Sequence, residues 1–175
     1  MNENGRKLNI YLGIGLGCFL CLITYYIYFI DINNLTNVWY GTISALLIII
    51  FGLASVIITK KESKGLITFK DAFSTYFKTI LIGSFISTTF LIIIFQLFLT
   101  PEKIILIKNL LIDFNNSLMK INNTSEIDIK KSTEFSKNFD PSNVFEIIKS
   151  AIEYLLRDCI FGFIISFIMR NKKAI

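Results

Sequence analysis

Apolar and polar positions fall into long blocks along this chain. No charged side chain occurs between residues 8 and 30, 38 and 59, or 79 and 100. A helix rises ~1.5 Å per residue and the bilayer core is ~30 Å thick, so ~20 apolar residues cross it. The three runs therefore predict three membrane spans. A fourth apolar segment, 151–169, is interrupted by Glu153, Arg157 and Asp158. Its uncharged part, 159–169, reaches only ~16 Å at helical rise and does not cross alone.

The links between the blocks differ in character. Residues 31–37 are short and rich in Asn and Asp, which predicts a turn and an antiparallel hairpin of spans one and two. The link 101–150 is long but patterned. Thr100-Pro101 reads as a helix N-cap followed by Pro at the first helical position. Ile104, Ile107, Leu111, Phe114, Leu118 and Ile121 then alternate spacings of three and four, the signature of an amphipathic helix. Asn115-Asn116 weakens this helix and Asn122-Asn123 ends it. Residues 125–139 are polar, with at most a short helix. Asp140-Pro141 repeats the cap-plus-Pro signal, and Val144, Ile148, Ala151, Leu155 and Cys159 form a stripe running into the fourth segment. The expected fold is all-α: a single membrane domain over 1–175, a four-helix bundle with spans about 8–30, 38–59, 79–100 and 151–169. An external helical hairpin separates spans three and four. Its stripes either pack on one another above the membrane or lie flat on the lipid.

Charge placement turns the spans into an orientation. Arg6 and Lys7 precede span one, the first link has no Lys or Arg, and the second link carries Lys60, Lys61, Lys64, Lys70 and Lys78. An excess of Lys and Arg marks cytoplasmic loops, so the amino terminus and second link are expected inside. Arg170, Lys172 and Lys173 make the tail basic as well. A tail inside requires a fourth crossing, which supports the interrupted span independently of its hydrophobicity. Tyr25, Tyr26, Tyr28, Trp39 and Tyr40 fall at the opposite interface, where amphipathic rings prefer headgroup depth. The first run is too long for the ~7–15-residue core of a signal peptide and no A-x-A-like site follows, so it reads as a retained span.

Candidate chemistry is sparse. The chain has no histidine and three cysteines. Cys18-x-x-Cys21 lies inside an apolar run without a basic neighbour to stabilise a thiolate, and with Cys159 it reads as buried small apolar residues. Neither a metal site nor a cofactor is expected. Gly13, Gly15 and Gly17 lack the strand and glycine spacing of a nucleotide loop. Gly13/Gly17, Gly83/Ser87 and Gly162/Ser166 read instead as small-x-x-x-small helix-packing faces, within one chain or between chains.

Ionisable groups in a span cost ~2.5–3.5 kcal/mol on insertion scales and normally face the bundle interior. Glu153 and Arg157, four apart, are placed to pair on one helix face. With Asp158 they either line a path together with Gln96, Thr88 and Thr89, or form a self-neutralised group with Arg157 snorkelling to the interface. In the second link, Thr68 with Asp71 forms a weak capping box, and Phe69, Phe73, Tyr76 and Phe77 follow on one side. This predicts a short interfacial helix bending into span three, held by anionic lipids or by a cytoplasmic partner.

Gly65, Ile67, Phe69, Ala72 and Phe73 make a Gly-x-Ile-x-Phe-x-x-Ala-Phe pattern that opens a span. A long external link, the turn Phe139-Asp140-Pro141, a last span and a basic tail follow. Together these resemble the small four-span bacterial membrane proteins of the domain-of-unknown-function family 4199, common in Bacteroidetes. The likeness covers nearly the whole chain; a less acidic external link and the charged start of span four depart from it. It implies a bacterial inner-membrane location and an unassigned role, and carries no catalytic or binding residues; that both ends are cytoplasmic is the expectation from the basic residues.

The lysines flank spans rather than forming one basic face, which argues against nucleic-acid binding. Membrane lipids are the expected partners, with a protein partner or a homo-oligomer as further possibilities. Three functions compete. The first is a non-enzymatic assembly, scaffold or accessory protein working through helix contacts. The second is a small oligomeric transporter or channel using the polar face of span four. The third, an intramembrane enzyme, ranks last, because no Ser/Lys, Asp/Asp or metal constellation lies in the spans.

Overall fold

A computed structural model describes residues 3–171, with side chains from residue 7 onward. Arg6's side chain, Lys172 and Lys173, on which the expected orientation also draws, lie outside the described residues. Among the described residues the chain is all-α, with six α-helices. Helix α1 (Glu3–Tyr25) continues into a π turn, Tyr26–Ile30. A 3-10 turn, Ile32–Thr36, leads to α2 (Val38–Glu62), capped by the Asn37 side chain, which accepts from the Trp39 N–H at 3.1 Å. The chain leaves α2 through left-handed Lys64 (φ 53°) and Gly65 (φ 82°), and the Gly65 N–H closes the helix on Lys60 O at 2.9 Å.

Helix α3 (Phe69–Ile93) extends through a π turn, Ile94–Phe98. The expected bend into span three is absent; one unbroken helix starts ten residues earlier than the uncharged run. Thr68 caps it, accepting from the Asp71 N–H at 3.1 Å and donating to the Asp71 carboxylate at 2.7 Å. No Gly or Pro interrupts its first turns, and Ala72, Thr75, Tyr76, Thr79, Ile80 and Gly83 form one continuous buried face. Tyr76 thus leaves the aromatic side expected from its spacing. Phe69, Phe73 and Phe77 stack on one another on a different face.

Helix α6 (Val144–Met169) is also unbroken, with Arg157 near its middle rather than toward one end. Its cap is Asn143, which accepts from the Phe145 N–H at 2.9 Å, and not Asp140. Asp140 instead holds a turn by accepting from the Ser142 N–H, with Pro141 buried in it. The buried face at the start of α6 carries Ile147 rather than Val144 or Ile148, and continues through Asp158, Gly162 and Ser166.

Four of the helices pack side by side. Glycines set the closest approach, between α1 and α3. A Cβ at Gly13 would stand 2.8 Å from Ile82 Cβ, one at Gly17 2.8 Å from Ile86 Cβ, and one at Gly83 2.7 Å from Leu16 Cδ2. At one end of the bundle the Asn9 amide donates to Thr59 at 3.0 Å and Lys60 Nζ donates to Met169 O at 2.9 Å. Asn171 pairs with Ile67 in both directions, at 2.9 and 3.1 Å. The start of α1, the α2–α3 link and the close of α6 therefore share this basic end. At the aromatic end Tyr26 stacks on Tyr40, Phe29 meets Phe98, and Tyr28 meets Phe95 edge-on.

Helix α4 (Pro101–Ile121) packs onto the aromatic end, its fully buried Ile107 meeting Phe95 and Ile147, with Ile104 and Leu111 beside them. The stripe is used only over the first part of the helix; Leu118 and Ile121 are exposed. Helix α5 (Glu126–Lys137) is a three-turn helix folded antiparallel on α4. Polar groups join them: Asn115 donates to Ser132 at 3.1 Å, Thr133 to Asn116 at 3.0 Å, and Lys108 to Lys137 O. The asparagines that weaken α4 as a free helix are the glue of the hairpin. Asn122 and left-handed Asn123 end α4 as expected.

Candidate functional site

The packed helices line a half-open cavity of about 550 Å3 in the half of the bundle toward the aromatic end. Its walls come from Leu20 and Ile23 of α1, Ile27 of the π turn after it, Ser44 and Ile48 of α2, and Ser84, Ser87, Thr88 and Leu91 of α3. Tyr154, Arg157 and Asp158 of α6 complete them. Leu35, Ile107, Leu111, Phe139 and Pro141 roof it. Helix α4 and the turn before α6 thus cover this side of the cavity.

Asp158 sits on the buried face of α6, and its side chain is 5 % exposed. A carboxylate withdrawn from water needs a partner, since leaving one unpaired costs several kcal/mol at ~3–5 kcal/mol per broken buried pair. Arg157 supplies it, donating from Nε at 2.9 Å and Nη2 at 2.8 Å to the same oxygen, Oδ1. The guanidinium also lies 5.0 Å over the Tyr154 ring. The expected Glu153–Arg157 pair does not form, because the buried Asp158 competes for the arginine and wins. Glu153 is exposed and lines a smaller recess with Phe135 and Lys149. Gln96 is not part of the cluster either: its amide donates to Ser142 O at 2.8 Å, tying the close of α3 to the turn before α6. Thr88 does line the cavity, whereas Thr89 turns away and bonds Phe85 O.

Tyr76, with no exposed surface, lies beneath Asp158 and donates to its backbone carbonyl at 3.4 Å. Two glycines make room for its ring. A Cβ at Gly52 would lie 2.2 Å from Cε2, and one at Gly162 2.3 Å from Cδ1. The candidate packing glycines Gly13, Gly17, Gly83 and Gly162 are therefore all engaged within this chain. Ser87 departs from the packing role and faces the cavity, while Ser166 is fully buried with no hydrogen bond to its hydroxyl. Cys18 is exposed on α1 rather than buried, because the glycine face takes the inside of that helix.

Sequence reasoning missed two features. Gly52 stands alone in its run, with no small residue four away on the Tyr76 side to flag it. Asn9, 5 % exposed, joins Thr59, and Thr79 donates to its carbonyl at 3.5 Å, which places a polar cluster between α1, α2 and α3. A single Asn just after Lys7 was the only available signal.

At the rim, outside the apolar spans, the Asp140 carboxyl is held below its ordinary value, first by the Ser142 hydroxyl and N–H and then by Lys108. Glu102, in the first turn of α4, is also lowered by its own N–H and the Thr100 hydroxyl.

Lys7–Ile30, Val38–Glu62 and Phe69–Phe98 are long and apolar enough to cross a membrane, and they frame an apolar cavity. The molecule is an integral membrane protein of helical type. More particularly, the chain belongs to the family described as "Protein of unknown function (DUF4199)", whose model matches residues 11–171. Comparison with curated proteins found no match, and comparison with solved structures found none.

Proposed function

We propose that this is a non-enzymatic protein of the bacterial inner membrane that crosses four times, has both termini in the cytoplasm, and acts by binding. The capped cavity receives a membrane-borne ligand or partner, as an accessory or scaffold protein would, and does not transform it. The observation that carries this reading is the cavity itself: largely apolar walls, a roof built by α4 and the turn before α6, and a carboxylate already engaged by Arg157. An occupied carboxylate is a poor general base. The small-residue faces are engaged inside the chain, which moves the expected contact surface from those helix faces to the cavity.

The fourth crossing draws support from the placement of α6, which begins at the aromatic end and closes at the basic end beside Lys60 and Ile67. Cysteine labelling tests the orientation in a cysteine-free background. Asn34→Cys and Ser125→Cys react with impermeant thiol reagents added outside, and Ser63→Cys does not; labelling of Ser63→Cys from outside overturns it. The binding role is tested by native mass spectrometry of protein released gently from its own membrane. Wild type retains an adduct that Ser87→Trp, which fills the cavity, excludes. An identical adduct on both proteins, or none on either, overturns binding at this site.

A second reading, the small oligomeric transporter, is favoured by one observation: polar side chains at Asn9, Thr59, Thr75 and Thr79 are buried among the first three helices. In that reading these groups extend a polar path from the cavity toward the basic end. A flux into liposomes that Arg157→Gln/Asp158→Asn abolishes supports it, and an unchanged flux removes the ion pair from the path.

A further inference from the structure

The hydroxyl groups around the cavity divide into two sets. Ser and Thr in membrane helices commonly donate back to a carbonyl one turn earlier. Thr24 does so to Leu20 O and Ser44 to Tyr40 O, each at 2.9 Å. Ser84, Ser87 and Thr88 line the same cavity but make no hydrogen bond among the described residues. Their spacing of three and four places them on one face of α3.

Arg157 lines the cavity with them. Asp158 takes Nε and Nη2 through one oxygen, which leaves Nη1 without a hydrogen bond among the described residues. The guanidinium carries five N–H donors and stays charged. The carboxylate is buried behind it at 5 % exposure, while the arginine side chain is 48 % exposed, so the cavity meets the cation. The pair and the Tyr154 ring fix the guanidinium in place. The other acid on the wall, Glu146, lies eleven residues up the helix, about 16 Å at helical rise. It is already beside Lys149 at 3.9 Å.

The geometry points to an anionic amphiphile as the occupant: a carboxylate or phosphate held by Arg157 and the Ser84, Ser87 and Thr88 hydroxyls, with its hydrocarbon chain along the apolar wall. This rests on the binding role proposed above and names its ligand class. Four donors with no partner call for acceptor oxygens, and the fixed cation calls for negative charge. Leu20, Ile23, Ile27 and Leu91 offer the chain an apolar bed. The volume falls in the ~300–1,000 Å3 range of small-molecule sites. The head comes from a lipid rather than from free phosphate, because most of the lining has nothing to offer a small polar ion.

The test uses the full chain in neutral detergent, with native mass spectrometry as the readout. The probes are oleate, oleyl alcohol, phosphatidic acid, phosphatidylcholine and inorganic phosphate. Oleate and phosphatidic acid bind one to one and at least ~10-fold more tightly than their uncharged or zwitterionic counterparts, the scale of a charged hydrogen bond. Arg157→Gln alone strands a buried carboxylate, so the informative variant is Arg157→Gln/Asp158→Asn, which removes both charges together and leaves no unpaired one. It abolishes the preference for the acid and retains the alcohol. Ser84→Ala/Ser87→Ala/Thr88→Val, with the ion pair intact, weakens oleate and leaves oleyl alcohol unchanged. Equal binding of oleate and oleyl alcohol to wild type overturns the inference while leaving a binding role standing. A preference that survives in both variants overturns the assigned residues. Binding of inorganic phosphate as tight as that of phosphatidic acid overturns the lipid as its source. Failure of every probe together with no native adduct overturns the binding role as well.

Discussion

Tyr76 and Gly162 stand so close that a Cβ added at the glycine would lie 2.3 Å from the ring's Cδ1 atom. Gly52 makes the same approach to Cε2 from α2, so the ring fills a slot with a glycine on each of two neighbouring helices. Gly162→Ala and Gly52→Ala are expected to overpack this slot and cost about 1–3 kcal/mol each. Gly41, with nothing within 4 Å of an added Cβ, is the control: Gly41→Ala raises stability by up to ~1 kcal/mol through helix propensity. Thermal unfolding in detergent measures all three.

Removing the ring tests the slot from the other side. Tyr76→Ala leaves a cavity and costs ~3–5 kcal/mol, as large aromatic truncations do. Tyr76→Phe keeps the packing and loses only the long bond to Asp158 O, so its cost stays below ~1 kcal/mol. Comparable losses from the two variants would mean that the hydroxyl, and not the ring, matters.

The ion pair predicts an order rather than one number. Arg157→Gln strands Asp158 in the core and destabilises more than Arg157→Gln/Asp158→Asn does, because the double variant leaves no unpaired charge. Glu153→Gln, at an exposed position, stays within about 0.5 kcal/mol of wild type. A double variant less stable than the single one contradicts the burial of Asp158.

The hairpin is joined by side-chain amides and hydroxyls. Asn116→Ala removes the Thr133 bond and Asn115→Ala the Ser132 bond, each worth about 0.5–1.5 kcal/mol. Backbone hydrogen exchange in α5 then speeds up while α1 and α3 remain protected. Equal acceleration in the bundle would mean that α5 is not a separable layer.

Asp140 gives the rim a pH dependence with a definite sign. Its folded value lies below the ordinary ~3.9, so the unfolded chain binds more protons in that range and stability rises with pH there. The contribution is complete above the unfolded value and is lost as pH falls through the lower, folded one. Carbon-13 titration of the Asp140 carboxyl should give a midpoint below ~3.9, and Ser142→Ala should raise it. A midpoint at or above the ordinary value contradicts the turn.

Much of the frame is readable from residue order. Charge-free runs at 8–30, 38–59 and 79–100 mark helices wherever they pack, because the cost of charge in lipid acts residue by residue. The Thr68 cap and the Asn122-Asn123 stop are local as well, since each bond joins residues within one turn. The unbroken start of α3 was less legible: Lys70 and Lys78 end the uncharged run there, but the helix continues because its other face is covered by neighbours.

By itself, then, the sequence determined that this is a helical membrane protein, where its long helices run, and that the lysine-rich second link and the Tyr/Trp cluster around the first link fall at opposite ends of the spans. Hydropathy, caps and charge counts add up along one dimension. Only the tertiary structure decided that Arg157 serves Asp158 and not Glu153, that Gly52 and Gly162 share the Tyr76 ring, that the asparagines of α4 bind α5, and that Ser84, Ser87 and Thr88 open onto one cavity. The physical reason is competition. Which partner a side chain takes depends on which rival group is more deeply buried, and burial is set by helices that lie far apart in sequence.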